Sequence, residues 1–231
     1  MTTPSRYLTI VGPTCIGKTG YLNEITSRYP VEVINLDSFQ VYEHFTIGTG
    51  RRDIAADRAH LYGFADPRYP FSADEYLRLV RETLQDIASR NQMALFEGGS
   101  ISYLRALAEV YPLRVVGLRP PPAADVMQYI DARIARYDED VLIAEIRSAL
   151  DRGLRHTLVL QDDVVYLPIL NFLDGKVSHE QAFERIRQNL RRRFTHQMRE
   201  YAAFEVEWID VDENAGAHLD EIVRSMLAKC A

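Results

Sequence analysis

The chain has 231 residues, 47% of them hydrophobic, and a formal net charge of -6. That is enough apolar material for one compact domain with a small appendage. The acidic balance argues against a large nucleic-acid partner, whose phosphates demand a basic surplus, and leaves only a local basic patch as a route to one.

Residues 7–11 read as a buried strand and 19–29 as the helix after the loop that follows it. A second strand, 31–36, ends at Asp37. Residues 40–70 carry Gly48, Gly50, Gly63, Pro67 and Pro70 and are expected to be irregular, a length that marks a functional or disordered loop. Ser72 with Glu75 predicts a capping box and a helix running to about Arg90. A short strand at 93–96 leads through Glu97-Gly98-Gly99-Ser100 into a helix ending near Ala108, and 114–118 is a further strand. Alternating strands and helices argue for an α/β fold with a doubly wound parallel sheet. After Pro120-Pro121-Pro122, residues 123–152 and 161–201 are helical in pattern, with Gly153 and Gly175 as stops. Residues 206–211 return as a strand and 217–229 form a final amphipathic helix. The expected division is a core over 1–118, a helical section over 119–205 and a return to the core over 206–231.

Gly12-Pro13-Thr14-Cys15-Ile16-Gly17-Lys18-Thr19 matches G-x-x-x-x-G-K-[ST] in full, between an apolar strand and a helix. This makes the expected fold P-loop NTPase-like. Glycines let backbone amides turn towards phosphate oxygens, and the helix N-terminus adds its positive dipole end. Lys18 supplies a mobile charge and the Thr19 hydroxyl is placed for Mg²⁺. The motif does not say which bond breaks: a kinase cleaves P–O, whereas an allylic diphosphate leaves by C–O cleavage and needs the same anion cradle.

Asp37 falls at the carboxyl edge of the second strand, where it can take a proton, ligate a metal or cap the next segment. Gly48-Thr49-Gly50-Arg51-Arg52 suits an anionic second substrate or is a solvated turn. Glu97 is positioned to hold Mg²⁺ through water, and Ser100 reads as a helix cap. Arg191-Arg192-Arg193 is a solvated helix face or a lid over phosphates. Cys15 and Cys230 give no disulfide framework and no metal spacing, so a reducing cytosol is expected. Cys15, beside the phosphates, suggests oxidant-sensitive activity. Residues 1–6 show no signal-peptide pattern, and no apolar run approaches the ~18 residues of a membrane span, so a cytoplasmic protein without a membrane partner is expected.

Gly12-Pro13-Thr14 with Gly17-Lys18-Thr19, then Asp37-Ser38-Phe39-Gln40-Val41-Tyr42 and Ile47-Gly48-Thr49-Gly50, resemble the isopentenyltransferase family of tRNA and adenylate dimethylallyltransferases. Ala59-His60-Leu61-Tyr62-Gly63 is similar to a His-Leu segment of that family, and Glu97-Gly98-Gly99-Ser100-Ile101-Ser102 is most similar to its adenylate, cytokinin-forming branch. Asp174-Gly175-Lys176-Val177-Ser178 and Trp208-Ile209-Asp210 resemble late family segments. The resemblance implies attack by the exocyclic amine of adenine on the allylic carbon of dimethylallyl diphosphate, with Mg²⁺ and release of diphosphate. It implies Asp37 as general base, Thr14 at the bridging oxygen, Lys18 and Arg133 on the diphosphate, and the loop residues Gly12, Pro13, Cys15, Ile16, Gly17 and Thr19 around it. Ser38, Thr49, Arg51, Gly99 and Ser100 fall near the acceptor nucleotide.

Two departures point to a free nucleotide, with AMP as the expected acceptor in cytokinin biosynthesis. No room exists after Ala108 for the long helical insert of the tRNA enzymes, and their Lys-Arg-Gln run reads Thr195-His196-Gln197 here. His196 aligns with a histidine of the prenyl-tail pocket and suggests a hydroxylated donor, with Asp162 or Asp163 assisting. No large nucleic acid is then expected, and a monomer is. The alternatives are tRNA prenylation, a P-loop small-molecule kinase and a nucleotide-sensing binding module.

Overall fold

A computed structural model describes residues 7–51, 56–162 and 164–230. The β1 strand, Tyr7–Val11, lies at the centre of a six-stranded sheet and feeds helix α1, Lys18–Arg28. β2, Val31–Asn35, is followed by a long loop holding β3, Ala59–His60. Helix α2, Ala73–Ser89, precedes β4, Met93–Gly98, and α3, Ile101–Val110, precedes β5, Leu113–Arg119. Helices α4, Val126–Ile134, α5, Glu139–Asp151, α6, Tyr166–Leu173, and α7, His179–Glu200, then follow without a strand. β6, Glu207–Asp210, and α8, Ala215–Cys230, close the chain.

The strand order is β3-β2-β4-β1-β5-β6 and every pairing is parallel. Parallel strands are covered on both faces, and the burial follows. Leu8, Ile10, Val33 and Leu95 pack on one side with Leu22 and Ile25 of α1 and Leu219 and Val223 of α8. Val11, Ile34 and Phe96 face the other side, with Tyr76 and Val80 of α2 and Leu104 and Leu107 of α3. The expected doubly wound α/β sheet is therefore present.

The predicted capping box forms: the Ser72 hydroxyl accepts from the Glu75 amide, and Glu75 returns a bond to the Ser72 amide. Gly153 and Gly175 end α5 and α6 in left-handed conformations, as expected. Two expectations are corrected. The 40–70 segment contains β3, which extends the sheet beside β2 through Val33–Ala59 and Ile34–His60. The 123–152 stretch is two helices, because Asp138, accepting from the Val141 amide, caps a new start at Glu139 after α4 ends. No helix among the described residues is long and apolar enough to cross a membrane.

Candidate active site

The ends of β1, β2 and β4 meet at the carboxyl edge of the sheet, where open α/β sheets bind ligands. Gly17 caps α1 at φ 89, a left-handed conformation that a side chain would strain. The phosphate loop is wrapped around its own lysine, whose Nζ donates to the carbonyls of Gly12 at 3.0 Å and Pro13 at 3.3 Å. Thr14, Cys15, Ile16, Gly17, Lys18 and Thr19 line one cavity of about 440 Å³ together with Asp37, Glu97, Arg133 and residues 48–50. Gly12 and Pro13, expected around the diphosphate, do not line this cavity. Burial pushes the Cys15 thiol above its ordinary value of 9.0, which keeps it protonated and weakens the oxidant-sensitivity expectation.

Asp37 is placed by a residue that sequence reading missed. The side chain of buried Asn35 donates to the Asp37 carbonyl at 3.0 Å and the Leu61 carbonyl at 2.9 Å, and accepts from the Asp37 amide at 2.8 Å. Oδ1 of Asp37 accepts from the amides of Phe39 and Gln40, so the capping role is real. Oδ2 has no hydrogen-bond partner among the described residues and remains available for a proton. Glu97 is buried at the end of β4, and burial raises its carboxyl above the ordinary 4.5 despite the pull of Lys18. The Tyr62 hydroxyl donates to it at 3.2 Å.

Arg133 of α4 packs over the Tyr137 ring and against Gly50. Burial acts to lower its pKa, but Tyr137 and the nearby Cys15 and Asp37 outweigh it, so the guanidinium remains charged. It lines the phosphate-loop cavity from the helical section, together with Lys18.

A second opening, a groove of about 1050 Å³, lies along α7. Asp37, Gly99, Val164, Arg193 and Gln197 line both spaces, so the two adjoin at the free carboxylate. Ser38, Ser100 and His196 line only the groove. His196 is exposed there and does not line the phosphate-loop cavity, where a diphosphate-bound prenyl tail would begin. Asp162 pairs with Arg193 at 2.8 Å and lines the phosphate-loop cavity, while Asp163 lies outside the described residues.

Two acceptor candidates sit differently from expectation. Thr49 lines the cavity, but its hydroxyl donates to the carbonyls of Phe45 and Thr46. Arg51 lines neither space, because its guanidinium bonds the Tyr42 carbonyl and the Thr46 hydroxyl to hold the turn together. Gln197, given no role by the sequence, joins the phosphate loop to β4–α3: its Oε1 accepts from the Thr14 amide at 2.8 Å and its Nε2 donates to the Gly99 carbonyl at 2.9 Å. Tyr201 adds a bond from its hydroxyl to the Gly12 carbonyl at 3.2 Å.

This architecture can be set beside known proteins. Residues 40–116 match the IPP transferase family. A tRNA dimethylallyltransferase of Solibacter usitatus is 37% identical over 55% of this chain, and the match spans 41% of that relative's length. A tRNA dimethylallyltransferase of Geobacillus thermodenitrificans is 25% identical over 97% of each chain. The crystal structure of a tRNA isopentenylpyrophosphate transferase from Bacillus halodurans superposes with a TM-score of 0.82, at 22% identity over 98% of each chain, and fixes the fold as P-loop NTPase-like.

The relatives are named for tRNA and not for free adenylate. That overturns the expected AMP acceptor, the assignment to cytokinin biosynthesis and the expected lack of a large nucleic-acid partner. The physical reason is that net charge is a sum. The chain carries -6 overall, yet Arg191, Arg192, Arg193 and Arg199 all border one groove. The short link between α3 and β5 removes one place for a gripping insert and says nothing of this one.

Proposed function

We propose that the protein transfers a dimethylallyl group from dimethylallyl diphosphate to the exocyclic amine of an adenine in tRNA, releasing diphosphate. The observation that carries this reading is the junction of two spaces at Asp37. One is a cavity lined by the phosphate loop, Lys18 and Arg133, and the other is an open groove edged with arginines. A buried pocket alone would suit any nucleotide; an adjoining basic groove suits an acceptor whose phosphates continue outside.

In this scheme the diphosphate lies on the amides of residues 15–19, with Lys18 and Arg133, which line the same cavity, as its cationic partners. Negative charge grows on it as the allylic C–O bond breaks, and preorganised donors stabilise that charge. Thr14 is placed at the bridging oxygen. The adenine enters from the groove past Ser38, Gly99 and Ser100, its amine attacks the allylic carbon, and Asp37 takes the amine proton on Oδ2. Mg²⁺ fits the donor set, since Thr19 and Glu97 line one cavity and this ion is commonly held by a few protein oxygens plus substrate phosphates. When bound it would add positive charge beside the leaving group. Among the described residues no group of three or more His, Cys, Asp or Glu forms an all-protein metal cage.

The test is to incubate the protein with tRNA, dimethylallyl diphosphate and Mg²⁺ and to identify modified nucleosides by mass. A prenylated adenosine is expected. Consumption of ATP with no requirement for a prenyl donor would overturn the reading in favour of a kinase.

A further inference from the structure

The wall of the phosphate-loop cavity opposite α1 is the turn at residues 48–50, and a carboxylate from a distant helix holds it. Oε2 of Glu145, on α5, accepts from the amides of Thr46 at 2.6 Å and Ile47 at 3.0 Å. Its Oε1 accepts from the Gly48 amide at 3.5 Å and from the Tyr166 hydroxyl at 2.6 Å. Successive backbone amides converging on one point form an anion nest. Here the anion is the protein's own side chain.

Tyr166 completes the grip. Its ring is buried against Phe45, with centroids 5.2 Å apart. It also lies directly beneath Gly48, where a Cβ would come within 2.4 Å of Cζ. In the same turn, the Gln40 side-chain Nε2 donates to the Thr49 carbonyl at 3.2 Å and Arg133 abuts Gly50. Glu145 lines neither space, whereas two of the residues it bonds, Gly48 and Tyr166, line the phosphate-loop cavity.

We infer that Glu145, locked by Tyr166, is a positioning residue that sets the 46–50 turn, and through it Arg133, against the phosphate loop and Asp37. The catalytic part of this inference rests on the prenyl-transfer reading above; the structural part does not. An error of about 1 Å in such a wall can cost about 100-fold in turnover without loss of binding. A carboxylate that merely stabilised the fold would instead lower the melting temperature and leave kcat of the remaining folded protein unchanged.

The experiment compares Glu145→Gln, Glu145→Ala and Tyr166→Phe with the parent chain. In steady-state kinetics with tRNA, Glu145→Ala is expected to lower kcat by about 10- to 100-fold, with KM for dimethylallyl diphosphate changed less than about threefold. Glu145→Gln, which keeps an acceptor oxygen, should recover part of the loss. Hydrogen exchange is followed in parallel, and in Glu145→Ala the amides of Thr46, Ile47 and Gly48 should exchange at least about tenfold faster, with those of residues 14–19 unchanged. Unchanged exchange at 46–48 would overturn the clamp, and faster exchange with unchanged kcat would overturn its role in positioning. If the parent chain prenylates no acceptor, the proposed function falls. The exchange measurement still decides whether Glu145 holds the turn.

Discussion

Asp37 divides its two oxygens between structure and chemistry. Oδ1 accepts from the Phe39 and Gln40 amides, and Asn35 pins the residue from below, so the carboxylate is fixed before substrate arrives. Asp37→Asn keeps an acceptor for the two amides and removes the proton acceptor proposed above. It is expected to lower kcat by about 10²- to 10⁴-fold with little change in melting temperature; near-normal turnover would remove Asp37 from the role. Glu97 makes a different prediction. Burial holds its carboxyl above the ordinary 4.5. Between 4.5 and the folded value, the native state keeps a proton that the unfolded chain has lost, so stability falls as pH rises through that window. Glu97→Gln removes this titration. The melting temperature of the variant relative to the parent should therefore climb as pH rises from acid to neutral, and a flat difference would show that Glu97 does not titrate abnormally.

Among the elements, α7 joins the two halves of the site. Ser178 and Gln181 start it with a capping box, and Arg193 pairs with Asp162 across the face of Phe39. Gln197 and Tyr201 then reach the phosphate loop from the end of the helix. Gln197→Met keeps the length and removes both bonds, leaving the Thr14 amide and Gly99 carbonyl without them. The expected cost is about 1–3 kcal/mol in denaturant unfolding, with weaker binding of inorganic diphosphate. Unchanged diphosphate affinity would show that the Gln197 bridge does not shape the phosphate loop. What the sequence disclosed at this scale depended on locality. The Gly12–Thr19 motif, the Ser72 box and the glycine stops are short-range signals, each with its own backbone mechanism. The two-residue β3 is too short to show a period, and it forms only because β2 supplies an edge. Bonds such as Gln197 to Thr14 and Glu145 to Thr46 span 183 and 99 residues, and no local pattern announces them. The bonds of Arg51 to the Tyr42 carbonyl and the Thr46 hydroxyl are hidden for the same reason, since they exist only once the turn has folded.

At the scale of the whole molecule, the sheet supplies a phosphate cradle and the helical section returns over it, leaving a basic groove on the far side of Asp37. The acidic total of the chain conceals this, because a sum over all residues does not show where Arg191 and Arg199 stand. Arg191 and Arg199 are exposed along the groove and make no ion pair among the described residues, whereas Arg193 is committed to Asp162. If the groove carries the acceptor's backbone, these two side chains displace counterions from phosphates. The affinity for tRNA should then fall with salt, and the slope of log K against log salt should drop by about 1 for each removed contact. Arg191→Ala with Arg199→Ala is expected to reduce the slope by about 2, while dimethylallyl diphosphate, bound in the other space, keeps its affinity. Titration of labelled tRNA at several salt concentrations measures the slope, and calorimetry measures the donor. A slope unchanged by the double substitution would move the acceptor off α7, and a parallel loss of donor affinity would mean that cavity and groove are one site instead of two that meet at Asp37.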